Sequence, residues 1–450
     1  MSRPSLYHQS TTSLAGSPEF DHEDLNYEIA SEELGVLKYR PHPRWRHGVA
    51  VGLTVFVFQM VRAAWWDLRY SRALPRRPTV LAPVSSLNQQ RSVEPILSLV
   101  EGAAALPMHP SLGAPAFPPF AAYRRSIPAV AAVTRAARSA TGYRRLAYMR
   151  FLERFILAHG LVPEAERLLA EVAPRLVLLA NDHSLLNRAF LHAAKNVGIP
   201  TAYVQHAAVT DGFPPLAFDL AFLDGSDALQ KYDLPDSAGC LVFLSGMAKS
   251  DEARRRARLR TEVSVLGLAL NPLDLPDAVV PFVMELRSLA PGLGIVVRPH
   301  PSDTRDWARL LPGLDRSDPR AEHPFAFLER VDALVCGPSS IALEAALVGV
   351  LPLTLDFDGR GVDHYGFVAS GLVHKVEDAA GAVKVLREHG GTPPTDVLRR
   401  YSATVGTSYD GRSAALVAEL ISEHLDGGVD MTRWRRLPGT RFVAAYELAP

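Results

Sequence analysis

Short apolar segments alternate with amphipathic segments along most of the chain. Residues 79–84 form a short apolar run with β-branched side chains, and apolar positions recur at helical spacing over residues 93–100. A strand, a polar loop and a helix in this order predict the first βα unit of a doubly wound domain. The alternation resumes at residue 175 and continues to residue 248, with strands predicted within the segments 175–184, 201–207, 220–229 and 240–251, the first three ending on polar residues.

A second alternating region follows the basic segment 249–260 and runs through an apolar strand at 294–298 and another at 333–336. Parallel strands need crossover connections, so this order of elements predicts parallel sheets. We therefore expect an α/β fold with an N-terminal domain at 78–248, a linker at 249–262 and a C-terminal domain at 263–415. Residues 1–77 are expected to be an extension, and residues 416–450 a C-terminal tail.

The N-terminal extension has two parts. About 35 polar and acidic residues open the chain and predict a disordered tail. The uncharged run Gly48 to Val61 then spans 14 residues, which is shorter than the roughly 18 to 20 residues of a membrane span. Arginines flank this run and Trp65 and Trp66 follow it, as is typical of an interfacial helix. A helix packed on the protein body and a true membrane span remain the alternatives.

Composition narrows the class of protein. Of the 450 residues, 48% are hydrophobic and 21% charged, as in globular proteins. The formal net charge is zero, which gives no basic field for binding nucleic acid. Cys240 and Cys336 lie far apart in the sequence and indicate neither a disulfide framework nor a zinc site. A reducing, cytoplasmic compartment fits this cysteine usage.

Polar side chains end several strands of the first half. In an open parallel sheet the ligand lies beyond the carboxyl ends of the strands. Asp182 and His206 can act as a general base there, whereas His183, Gln205 and Asp224 are expected to line the cleft or bind an acceptor. Asp182 could equally cap the following helix, and Asp224 with the next glycine could form a simple turn.

In the second half, "GPSS" joins a predicted strand to a predicted helix. Gly337 ends the strand, and Ser339 and Ser340 are expected at the helix N-terminus, where backbone N–H groups and the dipole favour a phosphate. Glu344 lies one turn further and could accept hydrogen bonds from a ribose diol. A serine cap followed by a surface glutamate is the simpler alternative.

"RPHP" ends another strand of the second half. Pro299 and Pro301 restrict the backbone around His300, so the direction of the imidazole is fixed at little entropic cost. His300 could donate to a phosphate or, when protonated, neutralise a leaving nucleotide, so we expect it to be both catalytic and donor-binding. Arg298 adds a permanent charge with fork geometry. A turn with an incidental histidine is the alternative.

"RPHP" and "GPSS" resemble the HP and serine motifs of bacterial sialyl- and polysialyltransferases and glycerophosphotransferases, within the GT-B glycosyltransferase superfamily. The resemblance implies two Rossmann-like doubly wound domains facing a cleft. In those families the histidine and the serines contact the phosphates of the donor, which implies this role for His300, Ser339 and Ser340. The wider GT-B pattern, in which a glutamate binds the donor ribose, implies that role for Glu344.

The segment 181–207 is similar to capsule-export glycosyltransferases and, more loosely, to UDP-N-acetylglucosamine 2-epimerases. Two departures matter. The sialyltransferases carry an acidic pair before glycine as their base motif, whereas this chain has only Asp224 there, so the general base stays open. The epimerases carry Gly-Gly and paired glutamates where this chain has Ser-Ser and the single Glu344, which argues against epimerase activity.

Together these features predict a GT-B glycosyltransferase of capsule or surface-polysaccharide assembly. It would move a sugar or a polyol phosphate from a CMP-, CDP- or UDP-linked donor to a polysaccharide or lipid-linked acceptor. We expect no cofactor and no metal, since no Asp-x-Asp signature stands in a convincing place. A 2-epimerase-like enzyme and a non-catalytic nucleotide-sugar-binding protein are the alternatives. We expect a cytoplasmic protein, with peripheral contact to the inner membrane face left open.

Overall fold

The structure, a computed structural model, describes residues 22–32, 48–70, 74–109, 112, 117–234, 239–258, 260, 262–388 and 393–449. The described chain forms two compact units that are interleaved along the sequence. The first unit is built from parts of residues 1–71, 117–167 and 183–193, and the second from parts of 72–116, 168–182 and 194–450. Every strand in the described part of the chain belongs to the second unit.

The α-helices of the described residues are numbered here in chain order. They are α1 His22–Leu25, α2 Tyr27–Ala30, α3 Val49–Arg69, α4 Leu87–Leu97, α5 Phe120–Ser126, α6 Val130–Ser139, α7 Gly142–Val172, α8 Leu185–Asn196, α9 Ser226–Tyr232, α10 Asp251–Arg255, α11 Pro276–Leu289, α12 Trp307–Leu310, α13 Pro324–Glu329, α14 Ile341–Leu347, α15 Ala379–Glu388, α16 Thr395–Tyr401 and α17 Ser413–Leu425.

The strands are numbered in the same way. They are β1 Val80–Val84, β2 Ala104–Pro107, β3 Leu176–Leu179, β4 Thr201–Val204, β5 Leu220–Leu223, β6 Leu241–Leu244, β7 Val265–Ala269, β8 Gly294–Arg298, β9 Asp315–Arg316, β10 Ala333–Cys336, β11 Leu351–Thr354, β12 His374–Lys375, β13 Trp434–Leu437 and β14 Ala444–Leu448.

The first sheet has eight strands in the order β13-β14-β6-β5-β4-β3-β1-β2. All neighbours pair in parallel except β13 and β14, which are antiparallel. Strands β3, β4 and β5 are buried along their whole length, as their apolar runs require when helices cover both faces of a sheet. Because these strands run parallel to one another, their carboxyl ends meet at one edge of the sheet.

The second sheet has six strands in the order β12-β11-β10-β7-β8-β9, all parallel. Its core is formed by two clusters of buried apolar residues. One includes Phe327 and Leu343, and the other includes Trp307 and Phe357. The two parallel sheets with their helices confirm the predicted α/β class of two doubly wound domains.

Two terminal segments differ from expectation. Residues 22–32, predicted to lie in a disordered tail, form α1 and α2 because Leu25 and Ile29 supply buried apolar contacts. The remainder of that predicted tail lies outside the described residues. In the segment predicted to be a C-terminal tail, β14 pairs with β6 and extends the first sheet. The limits 78–248, 249–262 and 263–415 stay a prediction.

Candidate functional site

The strand order of the second sheet determines how the two predicted motifs are placed. Strand β7 lies between β8, which leads to His300, and β10, which leads to Gly337. Adjacent strands are about 4.8 Å apart, so the ends of β8 and β10 are separated by roughly 10 Å. The two motifs thus flank the loop after β7, residues 271–274, instead of adjoining each other.

Arg305 cross-links these loops. Its guanidinium donates to the carbonyl oxygen of Asn271 at 2.8 Å and to that of Asp274, and it pairs with the carboxylate of Asp303 at 2.6 Å. The side-chain amide of Asn271 in turn reaches the carbonyl oxygen of Pro338 at 3.5 Å. The loops after β7, β8 and β10 therefore form one connected surface.

Gly337 is required by the buried carboxyl group of Asp274. A Cβ atom at position 337 would lie 2.7 Å from Asp274 Oδ1, closer than real Cβ contacts. Asp274 Oδ2 accepts from the backbone N–H of Asn271 at 2.7 Å, while Oδ1 is buried with no hydrogen-bond partner in the described structure. Burial raises the pKa of Asp274 to about 6, against the hydrogen bond from Asn271, which lowers it.

His300 is held by its own loop. Its Nδ1 accepts from the backbone N–H of Ser302 at 3.2 Å and lies 2.8 Å from the hydroxyl of Ser302. Partial desolvation, aided by the charge of Arg298, lowers the pKa of His300 below its ordinary value. The ring is therefore neutral near pH 7 with its proton on Nε2, which can donate one hydrogen bond to an anionic oxygen.

Arg298 is used differently from the expectation of a charge presented directly to a phosphate. Its buried guanidinium donates to the hydroxyl of Ser317 and to the carbonyl oxygen of Glu322 at 3.0 Å, and it lies 5.4 Å from the ring centre of Phe327. Burial lowers the pKa of Arg298 from its ordinary value. The side chain fixes the loop at 317–322, while its charge still acts on His300.

Ser339 and Ser340 lie at the start of α14, as predicted. Their carbonyl oxygens accept from the N–H groups of Ala342 and Glu344 at 3.2 and 3.3 Å. Ser340 has right-handed helical backbone angles, and within the described residues its hydroxyl makes no capping hydrogen bond. The alternative of a capping side chain at Ser340 is therefore not the one adopted here. Both serines are half-buried.

In the first sheet, Asp224 is clamped through its backbone. Its N–H donates to Gln205 Oε1 at 2.9 Å, and its carbonyl oxygen accepts from the N–H of Ala403 at 2.7 Å. The next residue, Gly225, admits no side chain because a Cβ would lie 2.3 Å from the carbonyl oxygen of Arg400. The Asp224 side chain is 2% exposed, and its Oδ2 has no hydrogen-bond partner among the described residues.

Lys249 connects the strand ends of the two sheets. Its Nζ donates to Glu344 Oε1 at 2.6 Å and to the carbonyl oxygen of His206 at 3.1 Å. Burial raises the pKa of Asp224 to about 8, the charge of Lys249 lowers it, and the charge of Glu344 raises it further. Of the predicted residues, His206, Asp224 and Glu344 are thus brought together, around a lysine that sequence reasoning assigned to a linker.

Besides its ion-pair partner Lys249, the charge of Glu344 acts on three basic side chains, Arg91, Arg298 and His323. Burial lowers the pKa of Arg91, whereas Glu344 raises it. Burial is also the largest cause that lowers the pKa of His323. The positive charges of Arg91, Arg298 and Lys249 lower it further, whereas the charge of Glu344 raises it. We call Arg91, Lys249, Arg298, His323 and Glu344 the basic cluster. Its excess of positive charge suits a phosphate group.

Asp182 belongs to a different network of the second unit. It accepts from the hydroxyl of Tyr232 at 2.6 Å, and the Tyr232 and Tyr203 hydroxyls are 3.1 Å apart. Burial and the charge of Asp182 raise the pKa values of both tyrosines well above the ordinary value. His183 is part of the first unit, where its carbonyl oxygen accepts from the N–H of Glu28 at 3.1 Å.

Sequence reasoning missed Arg91, Lys249, Asn271, Asp274 and Arg305. A signal existed for two of them, because "LALNPLD" is another apolar strand that ends on Asn271 and Asp274. Arg91 and Lys249 are remote in sequence from the motifs they serve, whereas Arg305 follows "RPHP" by four residues. Within the described residues, no group of three or more His, Cys, Asp and Glu side chains could hold a metal ion.

Comparisons with known proteins establish the fold. The sequence matches no protein-family model and no curated protein. A putative UDP-N-acetylglucosamine 2-epimerase from Listeria monocytogenes is 13% identical, with a TM-score of 0.52 over 79% of this chain and 98% of that one. The S. aureus MnaA–UDP structure is 12% identical, with a TM-score of 0.50 over 78% of this chain and 97% of that one.

The wall teichoic acid polymerase TagF is also similar, at 10% identity, with a TM-score of 0.40 over 84% of this chain and 98% of that one. The likeness to the first two structures, at 12–13% identity, concerns the fold alone. The two mostly parallel sheets of this chain have the GT-B architecture of the L. monocytogenes and S. aureus structures.

Proposed function

We propose that this chain is a metal-independent glycosyltransferase that moves a sugar or a polyol phosphate from a CMP-, CDP- or UDP-linked donor to a surface-polysaccharide or lipid-linked acceptor. The observation that carries the proposal is the basic cluster at the carboxyl ends of both sheets. Ligands of open α/β sheets bind at this edge. The CMP- and CDP-linked options and the capsule setting come from the motif resemblance, and UDP is the nucleotide of the MnaA structure.

The donor phosphate would lie between the loops after β8 and β10. His300 Nε2–H and the hydroxyls of Ser339 and Ser340 are its proposed hydrogen-bond donors, while Arg298 holds the supporting loop. A bound phosphate would compete with Glu344 for the ammonium group of Lys249. Glu344 would then be free to accept from the ribose diol. Positive charge already in place stabilises the departing phosphate as its negative charge develops.

Asp224 is the proposed general base for the acceptor hydroxyl. Its Oδ2 is buried and has no hydrogen-bond partner among the described residues, and the charges of Lys249 and Glu344 both act on it. The hydroxyl proton would pass to this oxygen as the acceptor oxygen bonds to the transferred group, and the nucleotide would leave with the electron pair. His206 and Asp182 are the alternative bases. Since only the ionised carboxylate accepts a proton, transfer should increase as pH rises through about 8.

Nucleotide binding is the first test. Binding to the native state raises the free energy of unfolding by about 2.7 kcal/mol at a ligand concentration of 100 Kd. Thermal unfolding of the wild type with CMP, CDP, UDP or GDP should show a shift for one base. The variants His300→Ala and Ser339→Ala/Ser340→Ala should reduce that shift. Equal shifts in the wild type and both variants would remove the phosphate site from the proposal.

A UDP-N-acetylhexosamine 2-epimerase is the second candidate, favoured by the similarity to the L. monocytogenes protein named as such an enzyme. Incubation with UDP-N-acetylglucosamine and no acceptor distinguishes the two, since an epimerase yields an epimer or free UDP. Consumption of donor that requires an acceptor supports transfer. Nucleotide binding without any turnover supports the third possibility, a non-catalytic nucleotide-sugar-binding protein.

The proposed setting is the cytoplasmic side of the membrane, with peripheral contact. The support is α3, the single helix among the described residues that is long and apolar enough to cross a membrane. Length and composition alone do not distinguish a spanning helix from one that lies on the surface.

A further inference from the structure

Helix α3 is attached to its own unit by one narrow stripe. Gly52, Phe56 and Ala63 are its buried residues, and at 3.6 residues per turn they fall on one face. Gly52 allows close approach, because a Cβ there would lie 2.6 Å from the Cβ of Leu152. Phe56 packs against Tyr123 with ring centroids 5.6 Å apart. This stripe fixes the helix to the protein and defines which face is left outside.

The opposite face of α3 is also apolar. Half a turn away from the buried stripe lie six exposed hydrophobic side chains, at Val51, Val57, Phe58, Val61, Trp65 and Leu68. Phe58 is 64% exposed and Leu68 is 89% exposed. A continuous exposed row of this length is uncommon on soluble proteins and marks an interaction surface.

Helix α3 and the segment that packs on its buried side are rich in arginine. Residues 48–70 and 117–140 contain six arginines and a single acidic residue, although the whole chain has zero formal net charge. The acidic residue, Asp67, accepts from the backbone N–H of Phe120 at 2.8 Å. Of the arginines, Arg125 is paired with Glu164 at 3.7 Å. Two of the arginines, Arg62 and Arg69, lie on α3 itself, are exposed, and fall at one edge of the apolar row.

The C-terminal end of α3 carries an aromatic group. Trp66 stacks on Tyr70 with centroids 4.7 Å apart, and Trp65 packs edge-on against Trp66 at 5.5 Å. The guanidinium of Arg69 lies 5.4 Å from the centre of the Trp65 ring. Tryptophan, tyrosine and arginine have apolar bodies and polar tips, which suits the level of lipid headgroups.

We propose that the exposed face of α3 binds the surface of an anionic lipid bilayer, with the helix axis in the membrane plane. The apolar row would enter the boundary between headgroups and acyl chains, and the arginines would contact anionic headgroups. This deepens the membrane part of the proposed function and does not depend on the donor chemistry.

Two other occupants fit the observations less well. A spanning helix would have to place Arg62, Asp67 and Arg69 near hydrocarbon and give up the packed stripe at Gly52 and Phe56. A second copy of the chain would bring two sets of arginines to one interface, where like charges repel. An anionic bilayer satisfies both the apolar row and its basic border.

The test is co-sedimentation of the full chain with vesicles. We expect binding to an equal mixture of phosphatidylcholine and phosphatidylglycerol, and little binding to phosphatidylcholine alone. Phe58→Ser/Val61→Ser/Leu68→Ser should lower the partition coefficient by ~tenfold or more. Met284→Ser, which removes a side chain 59% exposed on α11, is the matched control and should bind as the wild type does.

The basic border has its own variant. Arg62→Gln/Arg69→Gln should lower partitioning by about twenty-fivefold, at about fivefold per arginine, and should reduce its dependence on salt. Thermal unfolding checks that each variant is folded.

The inference is overturned if the serine variant binds vesicles as the wild type does, or if neutral vesicles bind equally well. It is also overturned by a dimer that the serine variant abolishes, or by resistance of the membrane-bound protein to alkaline extraction. The nucleotide-induced thermal shift, measured on the same variants, keeps the two proposals separate. A missing shift with intact vesicle binding refutes only the donor site.

Discussion

Replacing Asp224 by asparagine should make the protein more stable at neutral pH and less active. The carboxyl group is 2% exposed, and its Oδ2 lacks a hydrogen-bond partner in the described part of the chain. Burial raises its pKa to about 8, with Lys249 opposing and Glu344 adding to the increase. Asparagine keeps the shape and removes the ionisable group. The native state then no longer has to hold a proton that the unfolded chain releases.

The magnitude follows from linkage. The unfolded aspartate has its usual pKa of 3.8, and the folded one has a pKa of about 8. Between pH 5 and pH 8 the folded state therefore binds one more proton than the unfolded state. Stability falls as pH rises over this window, at about 1.4 kcal/mol per pH unit, or ~4 kcal/mol in total from this residue. The asparagine variant lacks this slope.

Chemical denaturation at pH 5, 6, 7 and 8 and constant ionic strength measures the effect. The free energy of unfolding of Asp224→Asn minus that of the wild type should increase by ~4 kcal/mol across the series. Asp211→Asn changes an exposed aspartate in a turn of the same half and should run parallel to the wild type. If the stability of Asp224→Asn also ran parallel to that of the wild type across the pH series, the raised pKa would be refuted. The argument that this carboxyl group serves the function would fail with it.

Measurements of activity test whether Asp224 is also the general base. If Asp224 is the base, kcat/KM of the wild type should rise with pH, with the midpoint of the rise near pH 8. The rate of the asparagine variant should be lower by roughly 10²- to 10⁴-fold. A variant that is more stable and equally active would leave Asp224 as a structural residue, and the role of base would pass to His206 or Asp182.

Two further substitutions test the same region. Gly337→Ala forces a Cβ against Asp274 and should cost about 1–3 kcal/mol of stability while weakening nucleotide binding. Gly428→Ala, in open space, should do neither, and a similar loss in both would contradict the steric argument. Lys249→Met leaves the carboxylate of Glu344 buried and unpaired, for a loss of about 3–5 kcal/mol. Adding Glu344→Gln should restore much of it in denaturation measurements, whereas additive losses would show that the two side chains act independently.

Periodic patterns made most of the fold predictable. Apolar runs such as 176–179 and 333–336 are buried parallel strands, as their β-branched and leucine content indicated. Polar strand ends also predicted which edge of each sheet carries Asp224, His300 and the serines. Local sequence carries this information because burial and periodicity are properties of neighbouring residues.

The missed residues depend on tertiary contacts. Lys249 stands in a basic segment that resembles a solvated linker, yet its ammonium group pairs with Glu344, 95 residues away. Arg298 was expected to face a ligand, whereas its guanidinium binds Ser317 and the carbonyl of Glu322. Arg298 reaches Ser317 because β9, which ends at Arg316, pairs with β8, so this contact depends on strand order. The order of the strands in a sheet cannot be read from a single sequence.

In the second unit, the carboxylates that are costly to bury lie at the edge of each sheet where a ligand is expected. Among its described carboxylates, two have a buried oxygen without a hydrogen-bond partner, Asp224 and Asp274. One follows β5 of the first sheet and the other follows β7 of the second. Such groups are costly to bury and are rare in folded proteins unless something compensates for them. Both carboxylates lie at the carboxyl ends of strands, Asp224 near the Lys249–Glu344 pair and Asp274 against Gly337. A ligand bound at this edge would supply the missing compensation.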